Sequence, residues 1–145
     1  MAPRSKDSSL GPVFADSLRL LRRDFYARTK GLGLTPALAR LLLYVAREPD
    51  SRQTDLAARL EVTPVTLGRM VDRLVQRGYV RRLADPSDRR AYRLRITPAG
   101  EPTTAQLERI AAATRERALQ GFSATDRRHL ISLLGRLRSN LEEAG

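Results

Sequence analysis

The sequence predicts a mainly α fold with a small β-hairpin, an α+β chain. Three observations predict it. Apolar residues recur every three or four positions in six separate stretches, the period of a helix buried on one face. One stretch instead alternates with period two: Tyr92, Leu94 and Ile96 are interleaved with Arg93 and Arg95. Gly, Pro and Thr-Pro punctuation separates the stretches. At 145 residues the chain has room for one core plus an appendage.

The elements follow in order. Residues 1–9 are polar and are expected to form a disordered tail. Phe14, Leu18, Leu21 and Phe25 place a first helix over about Val13–Lys30, broken by Gly31-Leu32-Gly33. Thr35-Pro36 supplies the N-cap and first residue of a second helix, with Leu38, Leu41, Leu42 and Val45 inward. Glu48-Pro49-Asp50 ends it. A short helix, Gln53–Leu60, is expected to be capped near Ser51 and to turn Leu56, Ala57 and Leu60 inward. After a tight turn at Leu60-Glu61-Val62, Thr63-Pro64 caps a fourth helix that runs to Arg77, with Gly78 as its stop. Tyr79–Leu83 and Tyr92–Thr97 read as the two strands, joined through Asp85-Pro86-Ser87-Asp88. A long helix over Glu101–Gln120 carries Leu107, Ile110, Ala111, Thr114 and Ala118 on one stripe and stops at Gly121. Ser123-Ala-Thr-Asp126 resembles a capping box, with Asp in place of the usual Glu. The last helix carries Leu130, Ile131, Leu134, Leu137 and Leu141.

Composition narrows the chemistry. The chain has no cysteine, which excludes disulfides, thiolate catalysis, zinc fingers and thiol-based redox sensing. Its one histidine, His129, excludes a site built from several His ligands. No paired carboxylates, nucleophile–base constellation, metal spacing or phosphate-binding Gly loop appears, so neither an enzyme, a metal site nor a cofactor is expected. No apolar run approaches the ~20 residues of a membrane span, and the N-terminus lacks a signal-peptide pattern. A cytoplasmic protein that makes no membrane contact is expected.

Charge points to the partner. Lys and Arg total 27 against 16 acids, a net +11, and all but Lys6 and Lys30 of the basic residues are arginine. Arginine's planar five-donor fork suits phosphate and guanine. Residues 69–95 hold nine arginines and three acids, more than half of the net charge in 27 residues. That concentration favours a nucleic-acid surface over simple solvation.

The third and fourth helices, joined by a short turn, read as a helix-turn-helix. At ~100° per residue, Leu67, Met70, Val71, Leu74 and Val75 gather on one side of the fourth helix, and Thr66, Arg69, Arg73, Gln76 and Arg77 on the other. This segment, about 21 Å long, fits a major groove. Thr63, Thr66 and Arg69 are the candidates for base edges, Val65 for a thymine methyl, and Arg73 and Arg77 for phosphates; Gln53 and Thr54 open the preceding helix and complete the set. A basic hairpin directly after such a pair is a wing. Its tip, Asp88-Arg89-Arg90, suits a narrow minor groove. Asp88 is expected to pair with Arg90 and aim it, while Arg81, Arg82, Arg93 and Arg95 flank the tip for phosphates. A basic module acting through RNA or protein contacts, or as an architectural DNA coat, is the alternative.

Residues 53–82 resemble the winged-helix core of MarR-type transcriptional regulators. Residues 85–100 resemble that family's Asp-x-Arg…Leu-Thr wing signature, matched by Asp88, Arg90 and Thr97, with Ile96 in place of Leu. The tail around Leu119-Gln-Gly-Phe-Ser is similar to the SlyA branch. The resemblance spans residues 10–143. It implies a winged helix-turn-helix DNA-binding domain at 34–100 and a helical dimerisation region at 10–33 and 101–145. It also implies a homodimer whose two recognition helices meet a pseudo-palindromic site on double-stranded DNA, usually as a repressor. The amphipathic first and last helices, too many for a compact winged core, agree with a paired molecule. The resemblance further implies a small aromatic or anionic effector, with Arg19, Arg22, Arg23, Phe25, Tyr26, Leu38 and Tyr44 as candidate contacts.

Overall fold

The computed structural model describes residues 9–143. Six helices and one hairpin follow in the order α1 (Leu10–Thr29), α2 (Pro36–Arg47), α3 (Gln53–Leu60), α4 (Pro64–Gln76), β1 (Val80–Ala84), β2 (Tyr92–Ile96), α5 (Glu101–Ala118) and α6 (Ala124–Glu143). A single 3₁₀ turn, Lys30–Leu32, extends α1 before Gly33 breaks it in the left-handed region. The expected disordered tail lies outside the described residues except for Ser9, which stands at the N-cap of α1.

Helix α1 begins three residues earlier than periodicity predicts. Pro12 falls in its first turn, where a missing N–H is no loss, so the Gly11-Pro12 pair does not break it. The two Thr-Pro caps form as expected: Thr35 Oγ1 accepts from Leu38 N at 3.3 Å, and Thr63 Oγ1 from Thr66 N at 3.1 Å. Helix α4 ends in a Schellman arrangement, with Tyr79 N donating to Leu74 O at 3.0 Å, Gly78 N to Val75 O at 2.9 Å, and Gly78 at φ 73°. Arg77 is therefore the C-cap rather than the last helical residue.

The start of α3 differs from expectation. Its N-cap is Arg52, with no side-chain cap, and the Ser51 hydroxyl donates backward to Glu48 O at 2.6 Å. The cause is tertiary. Asp50 N donates to Leu94 O at 3.0 Å and Leu94 N to Ser51 O at 3.1 Å, so residues 50–52 meet β2 through an isolated bridge, Arg52 opposite Arg93. The hairpin itself is antiparallel, running from Val80 opposite Ile96 to Ala84 opposite Tyr92, one residue later in β1 than predicted. Of the expected dry face of β2, only Leu94 is fully buried, and Tyr92 stands half exposed.

One core sits in the lobe that α2, α3, α4 and the hairpin form. Leu41, Leu42, Val45, Leu56, Leu67, Val71, Leu74, Val80 and Leu94 are sealed from solvent; among the described residues of α1, α5 and α6, only Phe25 and Leu107 join the buried apolar set. Each of the four buried α4 side chains contributes roughly 1.5–3 kcal/mol of burial. Val75, predicted inward, is exposed. Helix α5 ends at Ala118, two residues short of its expected limit, and the Ser123–Asp126 capping box forms in both directions at 3.0 and 2.9 Å.

The terminal helices are different. On α1, Phe25 is buried, but Phe14, Leu18 and Leu21 are exposed; α6 buries no residue, with Ile131 at 70 % and Leu141 at 69 % exposure. Asp24 fastens α1 to α5. It accepts from Arg28 Nε at 2.8 Å, Thr114 Oγ1 at 2.8 Å and Arg117 at 2.5 Å. These hydrogen bonds, led by those from Arg28 and Thr114, hold its carboxyl down at about 2. The lobe joins α5 through Thr97–Gly100. Thr97 N donates to Tyr79 O at 3.0 Å, the Thr97 hydroxyl donates to Gly78 O, and a Cβ on Gly100 would collide with the Tyr79 backbone.

Candidate nucleic-acid interface

Helix α4 turns one face into the core and the other outward. Thr63, Val65, Thr66, Arg69, Arg73 and Arg77 are all exposed, Val65 at 66 %. Pro64 at N1 and the Thr63 cap fix the first turn, so the short polar residues stand at the helix N-terminus, where oriented N–H groups favour phosphate. The Thr63 hydroxyl also lies 2.9 Å from that of Thr66, which joins the two side chains. Thr54 is exposed on α3.

The wing tip is a turn shaped by Asp88. Its Oδ1 accepts the backbone N–H of Arg90 at 3.0 Å, and Ala91 N donates to Asp88 O at 3.1 Å. Asp88 therefore shapes the backbone beneath Arg90 rather than pairing with its guanidinium, because a short side chain in a turn reaches the amide two residues on more readily than a long neighbour's head. Arg89 and Arg90 project into solvent. Among the described residues, Arg69, Arg73, Arg77, Arg81, Arg89 and Arg90 enter no ion pair.

The remaining arginines of the hairpin have intramolecular partners. Arg93 Nε meets Asp85 Oδ2 at 2.8 Å, and Arg52 Nε meets the same oxygen at 2.9 Å. Asp85 is buried and also accepts from Ser87 Oγ at 2.7 Å and Ser87 N at 2.8 Å. The Ser87 hydroxyl and the Arg93 guanidinium hold its carboxyl far below the ordinary carboxylate range. Arg95 binds Asp50 through two bonds, 2.8 and 2.5 Å, which lowers the Asp50 carboxyl and raises the Arg95 guanidinium. Arg82 donates to Gln53 Oε1 at 3.1 Å and Gly68 O at 3.1 Å, and pairs with Asp72 at 2.7 Å. Arg82, Arg93 and Arg95, expected at phosphates, thus brace the wing from within the lobe, and Gln53 is engaged with Arg82. Two carboxylates missing from the sequence-based set, Asp85 and Asp50, organise this scaffold. The Asp-x-Ser spacing of an Asx turn was the available signal for Asp85.

The candidate effector residues divide. A cavity of about 260 Å³ opens between α1, α2 and α5, and Arg22, Phe25, Tyr26 and Tyr44 line it, together with Arg40 and Arg47. A wider groove of about 860 Å³ on α1 is lined by Arg19, Arg22, Arg23, Tyr26 and Lys30. Leu38 lines neither; it is buried in the lobe core. Arg19 is paired with Asp16 at 3.2 Å. Arg47 is held by Glu108 at 3.1 Å. Phe25 and Tyr26 meet edge to face, 5.6 Å apart.

An exposed, arginine-rich helix beside a basic hairpin, both mounted on a closed helical lobe, defines a winged helix-turn-helix protein. The model of the MarR family matches residues 32–91. The structure of the transcriptional regulator PA3341 is 35 % identical, with a TM-score of 0.84 over 92 % of this chain and 98 % of that one. SlyA is 26 % identical, with a TM-score of 0.78 over 93 % and 95 % of the two chains. A MarR-family regulator from Silicibacter pomeroyi shares the fold at 24 % identity, with a TM-score of 0.84 over 97 % and 94 %. The chain belongs to the MarR family. Its family and fold are those of DNA-binding transcriptional regulators, not of enzymes. Among the described residues, no helix is long and apolar enough to cross a membrane.

Proposed function

We propose that this protein is a cytoplasmic, ligand-responsive repressor that binds a pseudo-palindromic DNA operator as a homodimer. Helix α4 enters the major groove, with Thr63, Val65, Thr66 and Arg69 at base edges and Arg73 and Arg77 at phosphates. Arg90 and Arg89 reach the adjacent minor groove, and Arg81 and Thr54 flank the contact. The observation that carries this reading is the set of exposed arginines on α4 and at the wing tip that, among the described residues, enter no ion pair. The exposed apolar stripes of α1 and α6 support the homodimer. A second copy would cover them and place two α4 helices about one DNA turn, ~34 Å, apart.

The small aromatic or anionic effector is assigned to the cavity between α1, α2 and α5, where Arg22 and Arg40 offer positive charge beside Tyr26 and Tyr44. It lies against both α1–α5 and the lobe, so its occupant would bear on the spacing of the two lobes. The decisive experiment selects bound fragments from the source genome and measures their affinity against a scrambled duplex. One enriched palindrome is expected, with affinity falling roughly 10³–10⁵-fold between 50 and 200 mM salt if ~6–10 phosphates are neutralised. Equal affinity for every duplex would favour the architectural alternative. Screening small aromatic acids for release of that fragment tests the effector.

A further inference from the structure

Helix α4 carries a single carboxylate, Asp72, on the flank of its outward face. Next to a duplex, a negative charge there opposes binding. The structure shows what it does instead. Asp72 Oδ1 stands 2.7 Å from an Arg82 nitrogen that also donates to the Gly68 carbonyl, and Arg82 Nε donates to Gln53 Oε1. One guanidinium from the first wing strand therefore touches the middle of α4 twice and the first residue of α3 once. We propose that the Asp72–Arg82 pair is a positioning device that sets the angle between the recognition helix and the wing, so that DNA affinity depends on both residues although neither holds the duplex.

The geometry separates this role from that of a phosphate ligand. Two N–H groups of Arg82 donate within the lobe, to Gln53 and to the Gly68 carbonyl, and its charge is offset by the Asp72 carboxylate at 2.7 Å. Arg69 and Arg73, on the same helix, have no such partner among the described residues. The fixed angle matters because α4 and the wing tip must meet two grooves of one duplex at once. If the wing swings relative to α4, both contacts cannot be kept together. The side chain of Asp72 is 58 % exposed, so replacing it removes the tie without opening the core.

The inference rests on the DNA-binding role proposed above, and the sign of one substitution tests it. The probe is the duplex most enriched from a random 30-base-pair library by the unmodified protein. Asp72→Asn removes a negative charge facing the DNA. If Arg82 is a phosphate ligand waiting behind a competitor, Asp72→Asn binds tighter, and Arg82→Ala lowers the slope of log affinity against log salt by ~0.9. If the pair positions the wing, both variants bind roughly five- to thirtyfold more weakly. The double variant is then no worse than the weaker single, and the salt slope is unchanged. Hydroxyl-radical protection fades at the flanks under the wings while base preference under α4 persists, a pattern that general destabilisation would not give. Tighter or unchanged binding by Asp72→Asn, or lost preference under α4, overturns the proposal. If the unmodified protein enriches no duplex, the DNA-binding role itself fails and the proposal falls with it.

Discussion

The winged lobe and the terminal helices use the same apolar residue types and leave them in opposite states. Leu41, Leu42, Leu56, Leu67 and Leu74 are sealed inside the lobe, whereas Leu18, Leu133 and Leu141 on α1 and α6 stand 47, 59 and 69 % exposed. The lobe has five short elements that close around one centre. The terminal helices are long rods: α1 buries only Phe25 and Thr29, and α6 buries no residue. Charge divides in the same manner inside the lobe: Arg82, Arg93 and Arg95 are matched by Asp72, Asp85 and Asp50, and the arginines at the tip and on the outward face of α4 have no such match among the described residues. The lobe seals most of its large apolar side chains and turns unpaired charge outward on α4 and at the wing tip; the rods turn hydrocarbon outward.

The largest effect expected from this contrast lies in the lobe. Leu42→Ala should cost roughly 2–5 kcal/mol of stability, because its surroundings cannot collapse onto the void. Chemical denaturation at two protein concentrations measures this, and the loss should be the same at both. Ile131→Glu, on the open side of α6, should act differently. Each copy would lose roughly 1.5–3 kcal/mol of apolar burial at the proposed dimer contact. Sedimentation should then show the self-association constant weakened at least tenfold, with the lobe's fold intact. A variant that remains as associated as the parent would remove α6 from that contact.

The charge contrast comes next. Arg69→Ala should weaken binding to the selected duplex by about 1–3 kcal/mol and relax base preference under α4. Arg90→Ala should weaken it without altering that preference. Unchanged affinity and preference in Arg69→Ala would break the docking scheme. Ser123→Ala removes one partner of the α6 capping box and should cost about 1 kcal/mol, readable as a lower melting temperature.

The mildest probe is acid, and it acts on both regions. Asp24 in the rods, held at about 2, and Asp85 and Asp50 in the lobe all have carboxyls below their ordinary values. Groups depressed in the folded state bind fewer protons there than in the unfolded chain. Their stabilisation is therefore whole above about pH 5 and is lost as pH falls through the ordinary carboxylate range towards 2. Melting temperature should be flat from neutrality to about pH 5 and decline below it. In Asp24→Asn the decline should be shallower, starting from a less stable protein.

The local features of the fold were legible because their causes are local. Thr35-Pro36, Thr63-Pro64, Gly78 and Ser123 act within four residues of themselves. The inward face of α4 follows from periodicity alone. The readings that failed depend on partners far along the chain. Alternation in β2 separates Arg93 and Arg95 from Leu94, but nothing in it says that Asp85 and Asp50 will stand opposite the two arginines. Ser51 looks like a cap until Leu94 claims its backbone. The same holds at the interface. Among the described residues no acid pairs with Arg69 or Arg90, whereas the Arg82–Asp72 pair is hidden from the sequence because Asp72 lies ten residues away and meets it only across the fold. The exposed state of α6 is unreadable from its own residues, since its stripe is the same whether one chain or two must cover it.

The Gly100 junction has a mechanical consequence. With the Tyr79 backbone seated against Gly100 and Thr97 bonded to residues 78 and 79, the tail end of α4 and the leading end of α5 share one rigid joint. Helix α4 projects from it for about 20 Å. A tilt of α5 by about five degrees would sweep the far tip of α4, where Thr63 sits, through roughly 2 Å. That is most of a hydrogen-bond length, so a lever this stiff turns a slight lean in the rods into a missed grip at the other end.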